Sequence, residues 1–225
     1  MTVNENLVVI RKQIEESCKR AGRNPEEIRV IAVTKYVSEK TALDVLDAGI
    51  RDLGENRDDG LLKKWNAIGD KAIWHFIGTL QSRKVKHVID KVAYIHSLDR
   101  LSLAKEIQKR ADHPIKCFVQ VNVSGEETKH GLAVDEVIPF IHELKKYPNI
   151  IVVGLMTMAP NTSDENKIRP VFRKLKSLQE KVQKLGFSHA PCLELSMGMS
   201  NDYTIAIEEG ATFVRLGTSL VGKEF

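Results

Sequence analysis

Short apolar runs alternate with longer amphipathic stretches along this chain, and the alternation restricts the fold more than any other feature of the sequence. Buried parallel strands read as apolar runs, and the stretches between them suit crossover helices. Eight such runs at this spacing are typical of a closed barrel rather than an open sheet. The predicted strands are 29–35, 52–55, 74–78, 92–96, 115–123, 150–156, 192–196 and 212–216.

The amphipathic stretches carry signals for the ends of helices. Ser38 can cap the N-terminus of a helix that Gly49 ends, and Asp99 can cap another. A long apolar stripe at helical spacing runs from Ile168 to Val182 and ends near Gly186. These signals place a helix between each of several pairs of predicted strands, as a barrel of βα units requires.

A further helix is predicted ahead of the first strand. Its apolar stripe consists of Leu7, Ile10, Ile14, Cys18 and Ala21, with Gly22 closing it. Only residues 217–225 follow the last predicted strand, so we expect the N-terminal helix to cover that strand. The predicted fold is an α/β fold: a single (β/α)8 TIM barrel with an N-terminal helix, formed by residues 1–225 as one domain.

Composition narrows the classes of function. The 225 residues carry a net charge of only +4, without the clustered basic residues of a nucleic-acid-binding surface. The three cysteines are scattered, which argues against a disulfide framework or a zinc site. We find no signal-peptide pattern and no apolar run long enough to span a bilayer. We therefore expect a cytoplasmic protein without a membrane partner, and a monomer.

Lys35 is the first candidate for chemistry because of its position at the end of an apolar strand. Alternation places Ile31, Val33 and Lys35 on one strand face. If that face points into the barrel, the amine lies at the C-terminal mouth, where barrel enzymes place their reactive groups. A partly desolvated amine there can attack an aldehyde. The alternative is a lysine that extends its ammonium to solvent.

Two segments rich in small residues follow the seventh and eighth predicted strands, where barrels commonly bind phosphate. They are SMGMSND, residues 196–202, and RLGTSLVG, residues 215–222, and a helix is predicted to start near Asn201. Small residues let backbone N–H groups approach an anion. Arg215 at the end of the eighth strand can bond a ring nitrogen or a phosphate. The alternatives are ordinary tight turns and a salt bridge from Arg215 to Glu194 or Glu55.

Other side chains at the same end of the predicted barrel have equally good structural explanations. Asn56 can donate a hydrogen bond to a ligand at the mouth, and Glu55 is a carboxylate facing the same region, although both also suit a helix cap. His75 is expected to be a core histidine with its hydrogen bonds satisfied. Met199 can line an apolar pocket wall or fill the core.

Several motifs together resemble one family, the pyridoxal phosphate homeostasis proteins, which are small relatives of the alanine racemase barrel domain. They are AVTK (32–35), GEN (54–56), WHFIGTLQSRK (74–84), QVNVSGEETKHG (120–131), GLM (154–156), LSMGMSND (195–202) and VRLGTSLVG (214–222). The resemblance runs nearly end to end. The segment Arg57-Asp58-Asp59 departs from the commonest pattern, which has an aromatic, an aliphatic and a glutamine there.

The resemblance implies that pyridoxal 5′-phosphate (PLP) forms an internal aldimine on Lys35, that Arg215 faces its pyridine nitrogen, and that its phosphate lies in the two glycine-containing segments. The expected cofactor-binding residues are Lys35, Asn56, Ser196, Met199, Ser200, Arg215, Gly217 and Thr218. The resemblance also implies that the protein holds or delivers PLP without robust turnover. PLP-dependent apo-enzymes are then the expected partners.

The chemistry of a guanidinium also favours a weak catalyst. It keeps its proton, so it can only donate to the ring nitrogen, and a neutral ring is a poor electron sink. A PLP-dependent amino-acid racemase, the main alternative, needs a second acid or base opposite the lysine. Tyr36 and Tyr203 are candidates for that group. A further alternative is an aldolase that uses Lys35 directly on a sugar phosphate.

Overall fold

Eight parallel strands pair in chain order into a closed barrel in the structure, a computed structural model that describes residues 1–127 and 130–224. The eighth strand pairs with the first, which confirms the predicted barrel. The strands are β1 Arg29–Val33, β2 Asp52–Glu55, β3 Ile73–Phe76, β4 Tyr94–Leu98, β5 Ile115–Gln120, β6 Ile150–Met156, β7 Glu194–Met199 and β8 Phe213–Leu216.

Helices follow the strands on the outside of the barrel. They are α1 Val3–Ala21, α2 Glu39–Asp47, α3 Asp58–Ile68, α4 Val85–Val88, α5 Leu101–Arg110, α6 Val137–Glu143, α7 Glu165–Lys184, α8 Tyr203–Glu208 and α9 Thr218–Val221. The N-terminal helix α1 packs against α8 and α9, the region it was expected to cover. None of the helices in the described part of the chain is both long and apolar enough to cross a membrane.

Most of the predicted helix signals match the observed helix ends. The Ser38 side chain accepts from the backbone N–H of Thr41 at the start of α2, and Gly22 ends α1 in the left-handed region. The predicted cap at Asp99 is wrong: Arg100 occupies the N-cap of α5, and the Asp99 carboxylate binds the Arg100 guanidinium instead. Ala21 is exposed and takes no part in the buried stripe of α1.

Two strand boundaries that bear on the site differ from the prediction. β1 ends at Val33, so Lys35 lies in the turn after the strand. β7 begins only at Glu194, because Cys192 has a left-handed backbone with φ of 49° that interrupts an extended chain. It continues to Met199 through Gly198, whose φ of 98° accompanies a register shift against β8. Met199 therefore belongs to a strand, where a loop was expected, and Ser196, the predicted last residue of the strand, lies inside it.

The barrel encloses its own layer of side chains, separate from the larger core between strands and helices. Its apolar members are Ile31, Tyr94, Phe118, Met156 and Phe213. Arg29, at the start of β1, lies over the rings of Tyr94 and Phe213 and forms an ion pair of 2.6 Å with Asp52. Because Ile31 faces this interior, this face of β1 points into the barrel, which is the condition that the argument for Lys35 left open.

A buried ion pair joins the end of β2 to the helix outside it. The Lys64 ammonium of α3 lies 2.8 Å from the Glu55 carboxylate, and both side chains are almost fully buried. The hydroxyl of Thr34 donates to the same carboxylate over 2.5 Å. The Glu55 carboxylate therefore binds both Lys64 of α3 and Thr34, the residue before Lys35. Through Thr34, this contact holds the start of the turn that carries Lys35.

Replacing Lys64 with Met should destabilise the protein by about 3 kcal/mol, because it leaves the Glu55 carboxylate buried without its cation. Lys63→Met is the matched control: Lys63 is 70% exposed and pairs with Glu39, so its loss should cost less than about 1 kcal/mol. Urea unfolding of the two variants measures both effects. Equal losses of unfolding free energy would contradict a special role for the buried pair.

Candidate functional site

Lys35 is half-buried at the C-terminal mouth of the barrel, in the turn that follows β1. Its Nζ atom lies 4.8 Å from the centre of the Tyr36 ring. Within residues 1–127 and 130–224, no carboxylate lies within ion-pair distance of this ammonium. The amine borders an opening whose other lining residues are Glu55, Asn56, Arg57, Asp59, Gly60 and Lys63. An unpaired amine beside an opening is available to a ligand.

A distant part of the chain holds the turn that carries Lys35. The backbone N–H of Glu224 donates to the carbonyl of Tyr36 over 3.0 Å. The Glu224 carboxylate accepts from the N–H of Ser38 over 2.7 Å and from the hydroxyl of Thr41. The segment after α9 therefore clamps both sides of the turn.

Arg215 lies in β8 with its guanidinium buried at the same end of the barrel. Its Nη1 donates to the Ser196 hydroxyl over 2.5 Å, and its Nη2 donates to the carbonyl of Thr157 over 3.1 Å. Burial lowers the pKa of Arg215 to about 10, against the opposing effect of the nearby Asp202 carboxylate. The group therefore stays charged at neutral pH. Neither Glu194 nor Glu55 pairs with it.

The segments after β7 and β8 meet, as the phosphate-site hypothesis required. The hydroxyls of Ser200 and Ser219 are 2.9 Å apart, and the backbone N–H of Ser219 donates to the Ser200 hydroxyl over 3.3 Å. Gly217 occupies the N-cap of α9, and Thr218 is its first residue. Hydroxyls from both segments and the backbone N–H of Ser219 thus lie close together at the mouth.

The start of α8 lies close to the predicted helix start near Asn201. The helix begins at Tyr203, and Asp202 occupies its N-cap. The Asp202 carboxylate accepts from the backbone N–H of Met199 over 2.6 Å, and burial raises its pKa above the usual value. Met199 itself is 37% exposed, so it lies at the rim of the mouth rather than in the core.

Buried histidines lie beneath Arg215 in the barrel interior. The Ser196 hydroxyl is 2.8 Å from Nδ1 of His96, and Nε2 of His96 is 2.9 Å from Nδ1 of His75. Nε2 of His75 is 2.7 Å from the Asp52 carboxylate. His75 is therefore a satisfied core histidine, as predicted. Burial lowers the pKa of both imidazoles, although Asp52 opposes this for His75.

The two tyrosines considered as a second acid or base have different positions. Tyr203 is buried, and its hydroxyl binds the Gln13 side chain of α1 on the outside of the barrel. Tyr36 is 44% exposed, with its ring beside the ammonium groups of Lys35 and Lys223. Only Tyr36 of the two borders Lys35, and it follows that lysine directly in the chain.

Several contacts of this region were not predicted from the sequence, although Ser219 lies in the predicted segment 215–222. Ser219 completes the contact with Ser200, and the backbone of Thr157 receives the Arg215 guanidinium. His96 was recognised only as the end of a strand. Its signal was available, because His75 and His96 lie on neighbouring strands and a polar residue on an inward face needs a partner.

Comparisons with known proteins agree with one another. The family described as "Alanine racemase, N-terminal domain" matches residues 6–224. A pyridoxal phosphate homeostasis protein of Aquifex aeolicus is 41% identical, with 99% of each chain covered. One of Pseudomonas aeruginosa is 35% identical over 98% of this chain and 95% of that protein.

Solved structures give the same result. PipY of Synechococcus elongatus, solved with PLP bound, superimposes with a TM-score of 0.85 at 27% identity, covering 98% of this chain and all of that one. An alanine racemase of Clostridium difficile has a TM-score of 0.78 at 17% identity, covering 97% of this chain and 56% of the racemase. The second comparison supports the likeness of fold alone.

The two buried neutral histidines should make the protein less stable as the pH falls. Their pKa values are lowered in the folded state, whereas unfolded histidine has a pKa of about 6.5, so below that pH the unfolded chain binds more protons. Stability should be lost as the pH falls below about 7, by up to ~2.7 kcal/mol per pH unit for two groups. Urea unfolding at a series of pH values measures this.

His96→Phe should flatten that dependence, because one of the two groups is removed. His113→Phe is the control, since His113 is exposed beside Asp112 and far from the barrel interior. The explanation is wrong if the pH dependence of His96→Phe equals that of the unmodified protein.

Proposed function

Because the chain belongs to the alanine racemase N-terminal domain family and, within it, to the pyridoxal phosphate homeostasis proteins, we propose that it binds PLP and maintains the PLP supply of the cell. The observation that carries this proposal is the convergence of three groups at one end of the barrel. These are the unpaired amine of Lys35, the buried guanidinium of Arg215, and the hydroxyls where the segments of Ser200 and Ser219 meet.

The donor set fits the three polar parts of PLP. Its aldehyde matches the Lys35 amine, and its ring nitrogen matches a donor such as Arg215. Two hydrogen bonds from Arg215 use two of its five N–H donors, which leaves others for an acceptor. Hydroxyls of Ser200 and Thr218 and the N–H of Gly217 suit the phosphate. Asn56, which lines the same opening as Lys35, suits the ring hydroxyl.

Bound PLP supplies an aldehyde that captures amines and a ring that accepts electrons. Arg215 limits the second of these properties. With a pKa of about 10 it keeps its proton at neutral pH, so it donates a hydrogen bond to the ring nitrogen without protonating it. The ring then withdraws electrons weakly. This supports a binding protein with little catalytic turnover.

The positions of the tyrosines also favour binding over racemisation. A racemase needs an acid or base on each face of its substrate. Tyr203 is held by α1 outside the barrel, and Tyr36 lies on the same turn as Lys35. We therefore propose that the protein is not a racemase, and that Lys35 has the single role of holding the cofactor covalently. An aldolase that acts on a sugar phosphate usually needs a carboxylate or a further lysine beside its reactive amine, and the Glu55 carboxylate next to the turn of Lys35 is already engaged by Lys64 and Thr34.

Lys35→Ala should abolish covalent attachment of PLP and leave the barrel folded, because the side chain makes no ion pair in the described part of the chain. The measurement is the visible spectrum of PLP-loaded protein and the mass of the adduct after borohydride reduction. Lys223→Ala, which removes the other ammonium beside the Tyr36 ring, should retain the adduct. A reducible PLP adduct that persists in Lys35→Ala would exclude Lys35 as the attachment point.

We propose further that PLP is held chiefly by its phosphate and can be passed to PLP-dependent apo-enzymes. Each charge-assisted hydrogen bond to a phosphate contributes roughly 1.5–3 kcal/mol, whereas the bond to an amine is covalent yet reversible through water. The amine also borders an opening of the barrel, so water and incoming amines can reach it. Release is then governed by the phosphate contacts.

PLP-loaded protein should therefore reactivate a PLP-dependent apo-enzyme, and Ser200→Ala should release PLP ~10-fold faster, since ~1.4 kcal/mol is a factor of ten. Activity of the apo-enzyme is followed in the presence of a scavenger of free PLP. Ser177→Ala, on the exposed face of α7 outside the barrel, is the control. Loaded protein that never reactivates the apo-enzyme would rule out delivery and leave storage or sensing.

The same proposal includes the setting in which the protein acts. We place it in the cytoplasm, which the three free and buried cysteines support. We propose that residues 1–225 act as one PLP-binding domain and as a monomer. The support for a monomer is that large exposed apolar side chains such as Val8, Leu101 and Leu193 lie on different elements.

A further inference from the structure

A continuous line of hydrogen bonds runs through the barrel interior from Arg215 at the mouth to Asp52 near the base. It passes through Ser196, His96 and His75, all of which are fully buried. Its two ends carry opposite charges, and the base end is anchored by Arg29, whose guanidinium lies 2.6 Å from the same Asp52 oxygen that faces His75.

The position of every proton in this line follows from its two ends. Asp52 is ionised, because His75 and Arg29 lower its pKa against the effect of burial, so it can only accept. His75 must then donate from Nε2. Since burial keeps this ring neutral, its Nδ1 carries no proton and accepts.

The same reasoning continues along the line toward the mouth. His96 donates from Nε2 to His75, and its own Nδ1 therefore accepts. The Ser196 hydroxyl is left with one arrangement: it donates to His96 and accepts from Arg215. A guanidinium can only donate, so the other end of the line agrees with this direction.

We propose that Asp52, His75 and His96 form a directional relay that holds the Ser196 hydroxyl as an acceptor and so positions the Arg215 guanidinium for the ring nitrogen of PLP. This rests on the proposed function. The three relay residues are positioning residues, since each acts through its neighbour and only Arg215 would touch the cofactor. Aligned hydrogen bonds between opposite charges strengthen one another in an interior of low dielectric constant.

The relay leads to a specific expectation for variants of its members. In His96→Phe the aromatic stack on Phe118 is retained in shape, but the Ser196 hydroxyl loses its acceptor and is free to turn its proton toward Arg215. Arg215 then loses the acceptor that fixes one of its two bonded nitrogens. Binding to the ring nitrogen should weaken while the amine and phosphate contacts are untouched.

The first test uses the protein without cofactor. Nitrogen NMR of the imidazoles should show His75 and His96 neutral, with the proton on Nε2 in both, at about pH 7. Asp52→Leu, which removes the acceptor, should alter the His75 and His96 signals. A proton on Nδ1 of either ring, or a charged imidazole, would contradict the direction of the relay, whatever the protein binds.

The second test compares PLP with its carbocyclic analogue, in which C–H replaces the ring nitrogen. The unmodified protein should prefer PLP, and His96→Phe should reduce that preference ~5-fold or more, with the Lys35 adduct retained for both compounds. Phe118→Leu, which removes the ring stacked on His96 but none of the hydrogen bonds of the relay, should change both affinities equally. An unchanged preference in His96→Phe would overturn the proposal.

The outcomes separate this proposal from the one on which it rests. If the unmodified protein forms no adduct with either compound, the proposed function fails, and the NMR test alone still judges the direction of the relay. If PLP binds normally and the preference is unaffected by His96→Phe, the function stands and the positioning role is wrong.

Discussion

A guanidinium buried inside a barrel is the constraint on which the rest of the interior depends. An uncompensated charge there would cost several kcal/mol, so Arg215 needs oxygen atoms close to it and an opposite charge near it. Ser196 and the carbonyl of Thr157 supply the oxygen atoms, and Asp202 supplies the nearer charge. The Ser196 hydroxyl accepts from Arg215, so its own proton needs another acceptor. The buried His96 below it provides that acceptor.

The sequence was sufficient to predict the fold but not every strand boundary: β2 and β6 match the prediction, whereas β1 and β7 do not. Eight apolar runs predicted the closed barrel, and the stripe of α1 predicted the helix that packs on α8 and α9. β7 was misplaced because its boundaries depend on the backbone of single residues. Gly198 shows why: a side chain there would meet Ala206 of α8, so its conformation reflects close packing of the strand on the next helix, which the apolar pattern does not reveal.

The candidate site likewise contains residues that the sequence predicts and contacts that it does not predict. Lys35 and Arg215 could be identified because strand ends are where a barrel brings functional groups together, and position along a strand can be read from the sequence. The contact between Ser200 and Ser219 and the bond from Ser196 to His96 could not, because they join residues 19 and 100 positions apart. Short hydrogen bonds of this kind depend on register shifts between strands, which the apolar pattern does not encode.

β1 pairs with β8, and Glu224 holds the turn at Tyr36. The candidate site can therefore form only after the C-terminal residues have been synthesised. Lys35 leaves the ribosome 180 residues before Arg215, since 215 − 35 = 180. At translation speeds of roughly 5–20 residues per second, that interval is on the order of ten seconds or more. A nascent chain that has only its reactive amine cannot retain a cofactor by its ring and phosphate. If PLP is held by the residues proposed above, its capture can begin only after residues 215–219, which carry Arg215 and the segment that meets Ser200, have been translated.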